Sequence, residues 1–481
     1  MPTPHRDPEA RTDPRCTWRI PDERRLPALE PFADDVRRCE PVVVRETVWD
    51  TDDRTLAAEG VELLRSDTGW SIDRGDGPVP VPSSAATPES VPRDPVEVFL
   101  RGRELRVSRV RDTVTTLVEL RGRDGRLRAE VADVRVDEGE ADTTLLRSAR
   151  WWALSDDGRS GAVARAAERA LADAADVPAL PRTEPRLAPV RRSGTTDRPR
   201  AGTAAAALRE VLRSLRRDLV VVDPQVRADE RESVHELRKV LRRLRSVLAA
   251  YRGALDRDAT ETLRAELAAV AGVAGVARDA EVLRDRLFRT AARAPEGYVD
   301  APTLDCMGAH IATVRDAAVA DLRQALGSAT WFGTLDHLDD LVERAPRGPH
   351  ADDAAPAFAV RQIAHERERV RKTLRHGTAE LDDLHEVRKA ARRLRYALEA
   401  AVDAADLGKR RLGRLERVQE SLGEVLDAAH ATTAYRKVSA LATENGQDTF
   451  GFGALATTEH AALEQARERA DTVLAKLRAK L

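Results

Sequence analysis

A pattern of one histidine followed by five cationic residues occurs twice in this chain, at an offset of 150 residues. The first copy lies in ESVHELRKVLRRLRSVLAAY, from Glu232 to Tyr251, and the second in DDLHEVRKAARRLRYALEAA, from Asp382 to Ala401. The positions are His235, Arg238, Lys239, Arg242, Arg243 and Arg245, followed by His385, Arg388, Lys389, Arg392, Arg393 and Arg395. Agreement at all of these equivalent positions indicates an internal duplication.

The spacing of these residues predicts two amphipathic helices. At about 100° per residue, the cationic positions of each copy fall on one face that is roughly 160° wide, and leucine and valine occupy the opposite face. Arg264 and Arg414 obey the same offset of 150. Asp279 and Asp427 are 148 residues apart, so the duplication covers several helices. We therefore expect a pseudo-two-fold helical bundle.

The helix predicted ahead of each copy also carries a cationic row. These rows are Arg209, Arg213 and Arg216 before the first copy, and Arg361, His365, Arg369 and Lys372 before the second. In the second row the cations lie within about 80° of one another on a helical projection. If the two repeats pack face to face on a common axis, the four basic rows converge.

Few acids accompany the cations of the duplicated helices. Glu236 is the only acid between His235 and Arg245, and Glu386 is the only acid at the equivalent positions of the second copy. Like charges at i,i+4 spacing destabilise a helix, so an ordinary solvated face would include more acids. The pattern favours an external anion over a merely solvated surface. Arginine suits bidentate hydrogen bonding to phosphate, and a polyanionic chain would satisfy many such groups at once.

The two histidines allow two interpretations. His235 and His385 either make a structural hydrogen bond at the start of the helix or donate to a phosphate, and a bound anion would favour the imidazolium form. HELRK and HEVRK also begin like the zinc-protease motif HExxH. Lys239 and Lys389 stand where the second histidine would be, which excludes that motif.

Composition divides the chain into two unlike parts. Its 481 residues suffice for two or three domains, and a net charge of −2 with 34% charged residues means that any preference for anions depends on clustering. Runs rich in valine and threonine, such as Thr113 to Leu120 and Leu127 to Val136, predict an antiparallel sheet with a hairpin turn at Gly125. A stretch rich in Pro, Arg, Ser and Gly between Val177 and Gly202 predicts a linker.

The expected fold class is α+β. We predict an N-terminal β domain at 15–187, a linker at 188–203 and a helical domain at 204–481, with repeats at about 204–345 and 355–481. Cys16, Cys39 and Cys306 form no CxxC, so neither a disulfide framework nor a cysteine zinc site is expected. The N-terminus lacks an apolar segment and no apolar run approaches about 18 residues, which predicts a cytoplasmic protein without membrane contact.

HELRKVLRRLR and HEVRKAARRLRYALE resemble the two signature helices of the CHAD domain, the conserved-histidine α-helical domain. The resemblance covers residues 201–481 and implies a bundle of two four-helix repeats whose basic central surface binds inorganic polyphosphate. By motif position, it implies contacts from the histidine and the five cations of each copy. The rows of the preceding helices, with Arg264 and Arg414, complete the candidate polyphosphate site.

The N-terminal part is similar to a degenerate CYTH domain, the triphosphate-tunnel fold that often precedes a CHAD domain. WDTDDRTLAAEGVELLR, from Trp49 to Arg65, and the strand from Leu127 to Val136 carry this likeness over residues 15–187. Family members open with ExExK, whose carboxylates hold a divalent metal and whose lysine binds phosphate. Here the equivalent of that opening motif is RCTWRIP, which has no carboxylate. The family's lysine-bearing strand reads GWSID, without the lysine, and ARWWALS replaces the later acidic strand.

A metal-dependent phosphohydrolase needs those acids, so we expect no catalytic residue, metal or cofactor in this part. Arg109 and Arg111 alternate as on a strand face. They indicate either residual anion binding or a solvated face, and the solvated face is slightly favoured.

Three functions follow as hypotheses. The first is binding of inorganic polyphosphate through a basic groove of the helical domain, extended to targeting to polyphosphate granules. The second is a metal-dependent triphosphatase or polyphosphatase in the N-terminal domain, which the missing carboxylates oppose. The third is nucleic-acid binding. It is disfavoured because aromatic residues make up 4% of the chain and the basic faces carry no interleaved rings for base stacking.

Overall fold

Two structural units make up the chain, Met1–Gly194 and Thr195–Leu481. The computed structural model describes residues 14–82, 90–141, 146–156, 161–181, 200–401 and 409–480. The β-rich first unit and the helical second unit confirm the predicted α+β class. The predicted linker at 188–203 lies for the most part outside the described residues.

Within its described residues, the first unit contains a ten-stranded antiparallel sheet. The strands are β1 Cys16–Ile20, β2 Asp35–Arg38, β3 Val42–Asp50, β4 Glu62–Ser66, β5 Gly69–Asp73, β6 Pro78–Pro80, β7 Arg106–Arg121, β8 Leu127–Glu140, β9 Leu146–Asp156 and β10 Leu180–Pro181. They follow the order β10-β1-β9-β8-β7-β3-β4-β5-β6, and β2 pairs with β7 beside this path. The helices are α1 Thr55–Glu59, α2 Glu97–Leu100 and α3 Gly161–Ala175, with a 3-10 turn at Glu30–Phe32.

The predicted hairpin joins β7 and β8, which pair from Arg109 opposite Glu140 to Arg121 opposite Leu127. Gly125 in the turn has a φ of 72°, a left-handed conformation that glycine adopts without strain. Pro78–Pro80 pairs with β5 at the end of the sheet, although two of its three residues are proline. Proline lacks an amide hydrogen and is tolerated there because β6 is an edge strand.

The sheet buries apolar side chains on both faces. Trp18 and Trp152 pack with Leu171 of α3 on one face. On the other face Val136 and Trp151 belong to a second buried cluster. The adjacent residues Trp151 and Trp152 point to opposite faces, as the two-residue period of a strand requires. Both faces of β9 are therefore used for packing.

The second unit consists of nine helices within the described residues. They are α4 Ala204–Arg227, α5 Ser233–Ala250, α6 Arg257–Ala291, α7 Ala301–Leu326, α8 Ala329–Arg344, α9 Ala355–His376, α10 Leu381–Ala401, α11 Lys409–Glu444 and α12 Phe450–Arg478. The first repeat has five helices because two, α7 and α8, stand where the second repeat has α12. Ser328 caps α8 by accepting a hydrogen bond from the amide of Trp331 at 3.2 Å. Of the helices described, none is long and apolar enough to cross a membrane.

Helices α5 and α10 cross about a pseudo-two-fold axis. Arg243 faces Glu399 at 3.8 Å, and Arg393 donates to the carbonyl of Ala249 at 3.3 Å. The partners in one contact are the 150-residue equivalents of the partners in the other, which is the pattern of a two-fold interface. The hydroxyl of Tyr251 adds a buried hydrogen bond to a carbonyl of α10 at 3.0 Å. The duplication seen in the sequence is thus also a symmetry of packing.

Close backbone contacts join the loop after α5 to the loop after α8. The amide of Gly348 donates to the carbonyl of Ala254 at 3.4 Å. A Cβ at position 348 would lie 2.3 Å from the carbonyl oxygen of Leu255 and 2.4 Å from that of Gly253. A side chain at this position would therefore require the backbone to move.

Gly348→Ala is expected to lower the free energy of unfolding of the helical unit by about 1–3 kcal/mol, because backbone oxygens must shift to admit the methyl group. Gly333→Ala is the matched control. Nothing lies within 4 Å of its added Cβ, and the change should stabilise α8 by roughly 0.5–1 kcal/mol. Urea unfolding followed by far-UV circular dichroism compares the two. A Gly348→Ala protein as stable as the wild type would contradict this packing.

Candidate anion-binding site

An open cavity of about 380 Å³ lies among α5, α6, α9 and α10, and we name it the arginine pocket. Its cationic lining residues are Arg242, Arg245, Arg264, Arg369, Lys389, Arg392 and Arg393. Glu386 is the carboxylate among the described lining residues, and it accepts a hydrogen bond from Lys389 at 2.8 Å. The pocket thus gathers cations from both repeats around one space.

The packing of α5 and α10 explains why these cations share one side. Leu241 and Leu244 of α5 and Val387 of α10 are fully buried, so the predicted apolar face of each helix lies in the core. The cationic faces are left to meet beside the crossing. Ser246 and Ala390 are small residues in the pocket lining, and they leave room between the two helices.

Three guanidinium groups at or beside the pocket, those of Arg242, Arg388 and Arg392, form no ion pair with any carboxylate of the described residues. Arg242 and Arg388 donate instead to backbone carbonyls, each at 3.2 Å. Burial, reinforced by repulsion from Arg388 and Arg242, lowers the pKa of Arg392 to about 9. Burial also lowers the pKa values of Arg242 and Arg388. At Arg388, the negative charge of Asp427 offsets part of this decrease. Their charge is unbalanced and favours a negative group.

Most other cations of the duplicated helices have carboxylate partners. The pairs are Arg238–Asp279 at 2.9 Å, Lys239–Glu236 at 2.9 Å, Arg243–Glu399 at 3.8 Å, Lys389–Glu386 at 2.8 Å, Arg393–Glu366 at 2.6 Å and Arg395–Glu416 at 3.4 Å. The expectation that five cations on each helix are uncompensated is therefore wrong. It counted acids along one helix only, whereas Asp279, Glu366 and Glu416 come from α6, α9 and α11.

The cationic row on α4 does not reach the arginine pocket. Arg209 is buried, and its guanidinium donates to the last carbonyls of α8. Arg216 pairs with Asp339 of α8 at 2.5 Å, and Arg213 pairs with an acid on its own helix. Because α4 packs against α8, its cations contact the acidic side and the carbonyl end of that helix. The prediction that four basic rows converge is therefore wrong for the row on α4.

The remaining candidates divide between the pocket and other surfaces. Arg264 and Arg369 line the pocket, although Arg264 also pairs with an acid on its own helix. Arg361, His365 and Lys372 are exposed on α9, and Arg414 lines a separate cavity beside Leu394 and Leu415. The 150-residue equivalents Arg264 and Arg414 therefore lie in different surroundings.

Each histidine lies near the start of its helix, where His235 is half-buried and His385 is exposed. Burial lowers the pKa of both histidines below the ordinary value of 6.5. A neighbouring cation lowers each pKa further: Arg278 acts on His235, and Lys389 acts on His385. Repulsion from an arginine of the pocket contributes at each site. Both shifts favour the neutral imidazole, and added negative charge at these positions would favour protonation.

The sequence prediction missed residues that shape the pocket. Glu366 is 1% exposed and holds Arg393, although it lies among the cations of α9. Its signal was its position one turn before Val370, on the apolar face of that helix, where an acid requires a buried cation. Ser246 and its equivalent Tyr396 were visible as a break in the repeat, but neither residue had an assigned role.

Carboxylates of the N-terminal unit neutralise Arg109 and Arg111, the two arginines singled out there. Arg109 and Arg111 each pair with both Glu62 and Glu138, at 2.7 to 3.0 Å. Burial opposes ionisation of Glu138, but the two guanidinium groups outweigh it and hold its pKa below the ordinary value. The side chain of Arg109 is 7% exposed, so the predicted solvated face is wrong. The charge that anion binding would need is already balanced.

The stretches that lack the CYTH acids form β1, β5 and β9. Trp18, Trp70 and Trp151 are buried in these strands. In the part of the chain that the structure describes, no group of three or more His, Cys, Asp or Glu side chains could hold a metal ion. The acids nearby, Glu62 and Glu138, bind arginines and do not fit a divalent metal site.

Residues 210–436 match the family model of the CHAD domain. The helical unit is a CHAD domain. The match begins in α4, ends in α11 and includes both copies of the histidine motif. The sheet that precedes the CHAD domain is consistent with a CYTH-like fold.

Similar proteins include two uncharacterized proteins of Mycobacterium tuberculosis, from strains CDC 1551 and H37Rv, each 32% identical over 272 residues. The match covers 54% of this chain and 50% of each relative, so the chain spans about half the length of the curated relatives it matches. PptA from Streptomyces chartreusis has a TM-score of 0.48 at 20% identity, over 56% of this chain and 98% of that one. The CHAD domain from the plant Ricinus communis has a TM-score of 0.47 at 22% identity, and the match covers 60% of this chain and 98% of that one.

Arg392→Met is expected to raise the free energy of unfolding of the CHAD domain by about 1 kcal/mol, because it replaces a half-buried, unbalanced charge by an apolar side chain of similar length. Lys239→Met is the control, since it removes an exposed cation paired with Glu236, and it should change stability by no more than about 0.5 kcal/mol. Urea unfolding followed by circular dichroism at low salt measures both. A loss of stability in Arg392→Met would contradict the unbalanced cluster.

Proposed function

We propose that the CHAD domain binds inorganic polyphosphate at the arginine pocket. The observation that supports this most directly is the cluster of Arg242, Arg388 and Arg392, whose half-buried charges form no ion pair within the described residues. A buried cation without a counter-charge is unfavourable. Phosphate oxygens supply both the negative charge and the paired acceptors that guanidinium groups bind best.

A chain of phosphates suits the pocket better than one small anion. Arg245, Arg264 and Arg369 extend its cationic lining over three helices, α5, α6 and α9. Consecutive phosphates would contact successive walls, and each contact would release counterions. Lys389 and Arg393 would add less, because carboxylates already neutralise them.

Nucleic acid also presents a chain of phosphates, but the pocket offers little to its bases. None of the described lining residues is aromatic. Stacking on aromatic side chains is a main source of affinity for single strands. Polyphosphate has no bases and requires no such contact.

The N-terminal unit favours a scaffold role over hydrolysis in this proposal. A metal-dependent triphosphatase needs acidic oxygens that are available to a metal, whereas Glu62 and Glu138 are bound by two arginines. The same binding would determine where the protein is found in the cell. A cytoplasmic chain that binds polyphosphate would accumulate at polyphosphate granules.

Isothermal titration calorimetry of the full chain with long-chain polyphosphate at low salt tests the proposal. The double variant Arg242→Gln with Arg392→Gln should bind at least about tenfold more weakly for each arginine removed, because each loses charge-assisted hydrogen bonds. Each lost contact should also reduce the slope of log K against log salt by about 0.7. Arg344→Gln is the control, since that arginine is exposed on α8 and pairs with Asp340 at 2.8 Å.

Absence of binding by the wild type at low salt would overturn the proposal, as would an equal loss in Arg344→Gln. Two further assays separate the alternatives. Competition by single-stranded DNA at matched phosphate concentration should leave polyphosphate bound, and displacement would favour nucleic acid. Release of phosphate from tripolyphosphate with Mg²⁺ or Mn²⁺ would instead support the hydrolytic alternative.

Polyphosphate is expected to raise the pKa of His235 and His385, because its negative charge offsets the burial and the cations that lower both values. By linkage, binding should strengthen as pH falls through the histidine pKa values, where the bound form takes up protons. Titration followed by NMR of the imidazole protons measures the shifts. Sodium chloride at matching ionic strength is the control, and an equal shift with chloride would contradict a bound polyanion.

A further inference from the structure

Among the positions at which the two halves of the α5/α10 crossing differ, two change the size or charge of a side chain beside the cations. Ser246 in the first repeat corresponds to Tyr396 in the second, and Ala249 corresponds to Glu399. In each case the first repeat has a small side chain and the second a large one. The two halves therefore have different shape and different charge.

The half of the crossing near Tyr396 is filled and neutralised. Tyr396 is 3% exposed, and the guanidinium of Arg395 lies over its ring at 4.9 Å. Arg395 also faces the carboxylates of Glu399 at 3.6 Å and Glu416 at 3.4 Å. Glu399 is also within 3.8 Å of Arg243. Arg395 and Arg243 are therefore held here by the ring and the acids of the second repeat.

The half near Ser246 has none of these neutralising contacts. Arg245, the equivalent of Arg395, forms no ion pair within the described residues, and burial together with Arg264 lowers its pKa. The equivalent of Glu399 is Ala249, which has no charge. The equivalent of Glu416 is Glu266, whose carboxylate is 2.9 Å from the ring of His337. Neither equivalent of the acids that neutralise Arg395 therefore forms an ion pair with Arg245 in the described structure.

Resting on the proposed function, we infer that the phosphate chain lies along only the Ser246 half of the crossing, and that Tyr396 and Glu399 exclude it from the other half. The pocket follows the same division, because Ser246, Ala249 and Arg245 line it. The pseudo-symmetric bundle would then bind the polyanion along a single path, although the duplication provides two equivalent halves. Binding would depend on Arg245 and not on its equivalent Arg395.

A matched pair of variants in the full chain tests this inference with long-chain polyphosphate. Arg245→Gln should weaken binding about tenfold, because it removes a charge-assisted contact that no acid of the described residues already satisfies. Arg395→Gln removes the same charge from the equivalent position and should change affinity less than about twofold. Circular dichroism establishes that both variants remain folded. Equal losses in the two variants would overturn the inference while leaving polyphosphate binding intact.

Transfer of the closing side chain gives a second measurement. Ser246→Tyr places in the open half the residue that fills the other half, and it should reduce affinity about tenfold or more by occupying the phosphate path. Ser214→Tyr, on an exposed position of α4, is the control for the added ring. Unchanged binding in Ser246→Tyr would overturn the inference. Failure of the wild type to bind polyphosphate would instead remove the proposed function, and the inference with it.

Discussion

The burial of two leucine-rich helix faces against a common core brings like charges together at the crossing of α5 and α10. Each fully buried leucine, such as Leu241 or Leu244, contributes about 1.5–3 kcal/mol to folding. Two unit charges 4 Å apart repel by roughly 1 kcal/mol in water and about 4 kcal/mol near a protein surface. A few apolar residues on each helix therefore outweigh the repulsion. The fold can thus hold arginines close together without neutralising all of them.

Ion pairing then sorts the cations into two groups. Arg393, held by the buried Glu366, supports the packing of α9 and α10. Arg242, Arg388 and Arg392 lack such partners among the described residues, and their charge is available to a ligand. Cations on the same helix face can therefore differ completely in role. The difference depends on which neighbouring helix supplies a carboxylate.

The sequence was sufficient for features that depend on local periodicity. The cationic and apolar faces of α5 and α10, the hairpin between β7 and β8, and the α+β class follow from residue spacing alone. It was not sufficient where a partner comes from a distant element. Arg209 bonds to the end of α8, and Arg109 pairs with Glu62 and Glu138 of other strands. Such pairings depend on packing, which spacing along one element does not reveal.

The difference between Ser246 and Tyr396 bears on why the two repeats belong to one chain. In a homodimer of a single repeat, both subunits would carry the same residue at this position, so both halves would be open or both closed. Covalent fusion removes that constraint and lets each copy accept its own mutations. One half can then serve as structural support while the other keeps its unpaired charge. Two identical subunits related by symmetry cannot differ in this way.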